Sequence, residues 1–465
     1  MNKVALNKFL KFYIFFTICI IISIFAMITF GRQFLEANIY ILITLIETII
    51  IIYISLKENK LFKEPFFIYK LVFNVYFIGG ILVYELRYFY LWKYIIFHEG
   101  DIIYASRILM ICSLSLDVGY MLFNLKHVKV ATIEDSMPKI STSRLILVSS
   151  LFCVLGWIAF LKLSKMLSII PILSSNKNAA RIEFMSNKNG IIIELYKLLY
   201  YSIVLSIINI VLFLKTKKGK RSELIKSLVI LIVSYIPLGA YGSRFFIIFP
   251  ILMSFVCLSN LGYKFDYKGL ILYFILISIF IVLLSTFRSF GEINSDYLIR
   301  AISMDTFPEY SDFARMLITD YDKGGIYNAV ILSGFLSFIP GKILALFGVD
   351  KSKYFSSIGL ELLKYFPDAG QILGIRIGLV GELFLAVGFR IIIYFIIFGA
   401  LLGALNNTRK TRRNRFSNKF VASNIFLLLA LSIPYGFSFI PNAIISSIII
   451  FPFLRVVDDE SGSSN

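Results

Sequence analysis

The chain has 465 residues, 58% of them hydrophobic and only 16% charged, with a formal net charge of +19. A soluble globular chain carries roughly 25% charged residues, so the composition excludes an ordinary soluble domain. The basic residues collect in short segments between apolar blocks, which is how membrane topology distributes charge, and no nucleic-acid partner is expected.

A bilayer core of about 30 Å takes about 20 apolar residues in a helix. Lipid offers no partners to a free backbone group, so blocks of that length must be helical. Lys3, Lys8 and Lys11 lead into the first block, over 9–30. It exceeds the roughly 7–15 residues of a signal-peptide core and is expected to be a retained span. Further spans are expected at 37–56, 66–84, 103–123, 145–163, 191–214, 225–240, 245–259, 269–287, 384–405, 420–437 and 440–456. The last two read as a hairpin broken at Pro434 and Pro441.

The reading is therefore an all-α polytopic membrane protein of about 12 transmembrane helices. It forms a single integral domain over 1–465, with a large external loop at 288–383 and a short polar tail at 457–465. Lys57, Lys60 and Lys63, the basic residues of 124–144, those of 215–226 and the run Arg409, Lys410, Arg412, Arg413, Arg415 and Lys419 all fall on one side when these spans are threaded. That side must be the cytoplasm, with both termini in it. The mildly apolar 326–345 stretch is expected to lie at the interface without crossing, because a crossing there would put the basic 408–419 segment outside.

Cys19, Cys112, Cys153 and Cys257 all lie in apolar blocks with no Cys-x-x-Cys pair, and His98 and His127 are far apart. No metal site and no cofactor is expected. Glu47 falls within one span, and Arg107 and Asp117 within another. Ten helical residues separate the latter two, about 15 Å, so they cannot pair with each other. The simplest arrangement pairs Glu47 with Arg107, and a proton pathway is the sharper reading. Four arginines fall where spans are expected to meet the outer surface: Arg181, Arg244 after Gly242-Ser243, Arg288, and Arg376 before Gly378–Gly381. Arginine can snorkel there, but its planar fork also grips phosphate oxygens bidentately, so these four are the candidate substrate-binding residues. Glu382, Asp320 and Glu292 are the candidate catalytic acids of the large loop and its end, with a helix cap as the alternative role for Glu382. Gly399 and Gly403 make a small-xxx-small pattern that marks close helix packing.

Three patches then carry a resemblance. They are Gly242-Ser243-Arg244 before an apolar run, Phe338-Ile339-Pro340 within the large loop, and Gly381-Glu382 through Gly388 followed by the glycine-spaced helix to Gly403. Together they resemble the oligosaccharide repeat-unit polymerases, the Wzy-type O-antigen and capsular polysaccharide polymerases, over about 230–407. Where such proteins often carry a tyrosine and an Asn-Phe-Gly turn after Gly-Glu, this chain has Phe384, Ala386, Val387 and Gly388.

The resemblance implies a metal-independent membrane glycosyltransferase in the bacterial cytoplasmic membrane. It would polymerise undecaprenyl-diphosphate-linked oligosaccharides at the outer face, with membrane lipid, a flippase and a chain-length regulator as partners. The arginines would hold the diphosphate and an acid would accept the hydroxyl proton. The alternatives are a lipid-linked oligosaccharide flippase or other transporter, and an O-antigen ligase. Transporters usually show internal repeats, which the sequence lacks. Ligases typically carry a histidine in the large loop, and 288–383 has none.

Overall fold

The computed structural model describes residues 65–91, 99–124, 140–167, 190–216, 221–241, 244–263, 308–317, 319–332, 341–348, 377–411 and 415–458, with parts of 40–51 and positions 170, 171, 279, 334, 362 and 365. The helices in chain order are α1 (Pro65–Leu91), α2 (Glu99–Asn124), α3 (Thr142–Leu167), α4 (Gly190–Thr216), α5 (Arg221–Tyr241), α6 (Arg244–Asn260), α7 (Pro308–Met316), α8 (Lys323–Tyr327), α9 (Gly341–Leu346), α10 (Gly378–Val387), α11 (Ile391–Thr411), α12 (Phe416–Tyr435) and α13 (Phe439–Arg455). A helical stretch, Leu42–Ile51, precedes them. Among the described residues there is no strand, and a single bridge pairs Ile140 with Asp458.

Six helices among the described residues are long and apolar enough to cross a membrane: Ile103–Phe123, Thr142–Lys165, Ile192–Lys215, Arg221–Tyr241, Gly378–Asn406 and Phe416–Tyr435. The protein is an all-helical membrane protein. These helices coincide with expected spans, except that the one expected at 384–405 begins earlier, at Gly378. The spans expected at 9–30 and 269–287, and much of 37–56, lie outside the described residues. In the segment read as a large loop, the described pieces are the short α7, α8 and α9 and a π turn at Asn328–Leu332.

The α12–α13 connection corrects one expectation. Pro434 lies inside α12, Pro441 lies inside α13, and the chain turns at Gly436. Gly436 has φ +90°, a conformation that side chains disfavour. Its N–H still reaches the Ser432 carbonyl at 2.8 Å. A proline near a helix end removes one hydrogen bond, whereas a left-handed residue redirects the chain.

The chain forms two compact units. The first comprises Met1–Ile133, Ile302–Thr411 and Leu428–Pro441. In it α2 and α11 make the closest helix contact, backbone against backbone. A Cβ on Gly399 would collide with the Leu116 carbonyl, and one on Gly119 with the Ile396 carbonyl. Such glycine-to-backbone approach is how membrane helices gain dispersion energy where lipid leaves little hydrophobic drive. The expected Gly399–Gly403 face is thus a packing face, and Gly119 is its counterpart. On α7, Tyr310 fills the space over Gly80 of α1 and its hydroxyl meets Ser106 Oγ of α2 at 2.7 Å.

Helices α1, α2 and the 42–51 stretch meet at a buried ion cluster. Lys70 is 0% exposed. Its ammonium lies 2.9 Å from Glu47 Oε1 and 2.8 Å from Asp117 Oδ2, and it donates to Ser113 Oγ at 2.5 Å. Asn74 Nδ2 donates to Glu47 Oε2 at 3.0 Å. Glu47 thus pairs with Lys70, not with Arg107 as expected, and Arg107 is exposed. Lys70 lies close to the start of its span, where a lysine reads as an interface anchor, so the sequence pattern hid it.

The second unit comprises Glu134–Ala301, Arg412–Leu427 and Asn442–Asn465. Hydroxyls join α3, α4 and α5: Ser149 Oγ donates to the Ser202 carbonyl at 3.1 Å, Ser202 Oγ to the Ser149 carbonyl at 2.8 Å, and Ser202 Oγ lies 3.0 Å from Ser234 Oγ. Pro237 of α5 has no N–H to give the carbonyl four residues earlier, Val233. Trp157 Nε1 of α3 donates to that carbonyl at 3.0 Å instead. The polar tail is fastened at its start: Asp458 accepts from the Ser417 N–H and hydroxyl, and Arg144 donates to the Asp458 carbonyl.

Candidate functional site

The helix running from 378 to 411 is interrupted, and the interruption makes the site. Helix α10 ends at Val387, a 3-10 turn covers Gly388–Arg390, and α11 begins at Ile391. Gly388 has φ 61° and ψ −141°, which only glycine adopts without strain. Nothing lies within 4 Å of where its Cβ would be, so the backbone angle alone requires glycine here. The turn swings Phe389 and Arg390 outward, and both are exposed.

Opposite this turn lies the segment between α7 and α8. The Thr319 hydroxyl donates to the carbonyls of Arg315 and Met316 and closes α7. Asp322 caps α8, accepting from the N–H groups of Gly324 at 2.9 Å and Gly325 at 3.1 Å. The Asp322 N–H in turn donates to the Tyr365 hydroxyl at 3.0 Å. These bonds set the places of Tyr321, Lys323 and Tyr327 by local chemistry that needs no large core.

Between the two lies a cavity of about 430 Å³, lined by Tyr104, Leu317, Tyr321, Lys323, Tyr327, Phe384, Ala386, Val387, Gly388, Phe389 and Arg390. Among the described residues it carries two cations, three phenols and two phenyl rings, and no acid. Neither cation is in an ion pair among the described residues. Burial pushes the Tyr321 phenol up, with the neighbouring Tyr104 phenol adding to the effect, so Tyr321 stays a hydrogen-bond donor at neutral pH. Aromatic faces beside two uncompensated cations suit a ring-bearing ligand with an anionic group.

Glu382 sits on α10 but is not among the lining residues. It is 7% exposed, and its Oε2 accepts the Phe437 N–H at 2.7 Å. Any Cβ at Gly436 would collide with its carboxylate. The carboxylate therefore fastens the α12–α13 turn to α10. This is the capping alternative for an acid at that place, and it positions the helix that carries the cavity wall. Asp320 is exposed and directly precedes the cavity residue Tyr321. Arg244 opens α6, and its side chain is outside the described residues. Glu292, Arg181, Arg288 and Arg376 lie outside the described residues altogether.

Sequence reasoning did not single out Lys323, Arg390 or the three tyrosines. Arg390 had a signal, since an arginine within an expected span is a functional-site pointer. Lys323 had a weaker one in Asp322-Lys323-Gly324-Gly325, a capped turn that presents its lysine. Tyr104 is brought in from α2 and had none. Compared with known proteins, the chain matches no family model, no curated protein and no solved structure.

Proposed function

We propose that the chain is a membrane glycosyltransferase that polymerises lipid-diphosphate-linked oligosaccharide repeat units at the outer face of the cytoplasmic membrane. The observation that carries this reading is the acid-free cavity with Lys323, Arg390 and three tyrosines at the Gly388 break. With the basic 408–419 segment cytoplasmic, the 17 residues of α11 before it rise about 26 Å, most of one bilayer core, so in this reading the break lies toward the outer face.

In this reading Lys323 and Arg390 hold the diphosphate of the donor, and the tyrosines and Phe389 pack against sugar rings. A hydroxyl of the incoming repeat unit attacks the anomeric carbon of the donor sugar. The new carbon–oxygen bond forms as the bond from that carbon to the diphosphate oxygen breaks, and the lipid diphosphate leaves with the electron pair. The hydroxyl proton passes to a carboxylate, for which Asp320, beside the cavity, and Glu292 are the acids to test. The cations meet charge that develops on the leaving group, which is where fixed charge accelerates transfer most. Arg181, Arg244, Arg288 and Arg376 remain proposed diphosphate ligands.

A gel of surface polysaccharide after deletion of the gene tests the proposal. Single repeat units retained with the long-chain ladder lost is the expected result. An unchanged ladder overturns it.

A further inference from the structure

The ion cluster of the first unit plays no part in the proposed transfer, and its charges do not balance. Two carboxylates face one ammonium. Lys70 satisfies one oxygen of Glu47 and one of Asp117. Asn74 Nδ2 satisfies the second oxygen of Glu47. Two buried acceptors at the same cluster then have no donor among the described residues, Asp117 Oδ1 and Asn74 Oδ1. Asn74 is 0% exposed. With every group ionised, the cluster carries one uncompensated negative charge inside an apolar bundle, and such a charge costs several kcal/mol in a membrane interior.

The missing component is one positive charge that arrives as a donor. A water molecule supplies donors but no charge. A metal cation supplies charge but would sit beside the Lys70 ammonium, and like charges repel strongly at that range. A proton supplies both. The Glu47 and Asp117 carboxylates flank the same ammonium, at 2.9 and 2.8 Å, and two carboxylates coupled so closely can hold one proton as a pair. We propose that the Glu47–Lys70–Asp117 cluster is a binding site for a single exchangeable proton, shared by the two carboxylates, whose occupancy makes the junction of α1, α2 and the 42–51 stretch electrically neutral.

The other ionisable side chains on the elements packed there do not alter this count. Tyr69 of α1 and Cys112 of α2 are buried and add no formal charge to the cluster, and Tyr120 and Tyr310 are likewise buried phenols. Arg107 lies ten residues before Asp117, about 15 Å along α2. Helix α7, which carries Glu309, Asp312 and Arg315, meets α1 at Gly80, ten residues and about 15 Å along the helix from Lys70. Helix α11 brings Phe395 against Phe73 and glycine against α2.

Infrared spectroscopy of the full-length protein in lipid nanodiscs at neutral pH reads the proton directly, as the carbonyl stretch of an un-ionised carboxylic acid that shifts in heavy water. The wild type should show one such acid that is absent from both Asp117→Asn and Glu47→Gln, because either change leaves one carboxylate paired with one ammonium. Lys70→Met should gain one such acid, because both carboxylates must then be neutral. Spectra of wild type and both single variants that agree in this region would mean that both carboxylates are ionised, and would overturn the proposal. Should a variant not fold, unaltered protein labelled with carbon-13 in its aspartate or glutamate carboxyls gives the same reading. A label-shifted acid band supports the shared proton, and no shift with either label overturns it.

Discussion

Lys70 and Arg390 both carry charge within apolar helical stretches of the first unit, and they differ in what surrounds them. Lys70 is enclosed by acids and Arg390 faces a cavity without one. That contrast separates a structural charge from a binding charge and leads to opposite predictions. Lys70→Met strands two carboxylates, and breaking a buried pair costs about 3–5 kcal/mol. Thermal unfolding in nanodiscs should show a large loss. The triple change that adds Glu47→Gln and Asp117→Asn should recover most of it, because no unpaired charge remains. Arg390→Ala should leave unfolding unchanged and lower polymerisation by roughly 10²- to 10³-fold. Arg390→Lys should restore only part of the rate, because the bidentate fork is gone. Polymer length in strains matched for protein level checks both arginine variants. At this scale the sequence was legible in residue type, since Glu382 read as a cap or an acid at the end of a span and its carboxylate closes the Phe437 turn. It was not legible where a partner comes from far along the chain, as Tyr104 reaches Tyr321 or Asp117 reaches Lys70.

Helices are placed by hydropathy, because a bilayer demands about 20 apolar residues whatever they are. This is why α2 through α5 fall where the apolar blocks do. Hydropathy averages over a window, however, and passes over breaks that depend on one residue. The Gly388 turn is such a break, hidden in a block that reads as continuous, and Gly436 is another, masked by the prolines on either side. Two element-level contacts make testable claims. Trp157→Phe should cost about 1–3 kcal/mol, because the half-buried Val233 carbonyl loses its donor within a membrane span, where water cannot replace it. In Pro237→Ala the backbone N–H returns to that carbonyl, so adding Trp157→Phe should then cost little. A double-mutant cycle on unfolding checks the coupling. Gly399→Val puts a branched side chain against the Leu116 carbonyl of α2. It should destabilise by about 1–3 kcal/mol or more, and should lower the yield of folded protein. Gly388→Ala meets no neighbour, but its backbone conformation disfavours any side chain, so it should also destabilise, by about 1–3 kcal/mol.

For the whole molecule, basic segments and apolar blocks together order the chain in a membrane, but they say nothing about which surfaces converge. The large loop was legible as polar and long, with mildly apolar pieces. Its described part is a set of short helices: α7 buries Tyr310, Phe313 and Ala314 on one face, and α8 is ordered by its Asp322 cap. The cavity therefore depends on how those pieces fold back onto α10, which no periodicity records. The account stands on the claim that this cavity serves glycan polymerisation. The most direct measurement gives purified full-length protein, reconstituted in vesicles, synthetic undecaprenyl-diphosphate-linked repeat units as its only substrate. The account predicts a ladder of longer lipid-linked glycans, with one undecaprenyl diphosphate released for each linkage made. Repeat units that cross the vesicle bilayer unchanged, with no linkage formed and no lipid diphosphate released, would contradict it and make the chain a transporter.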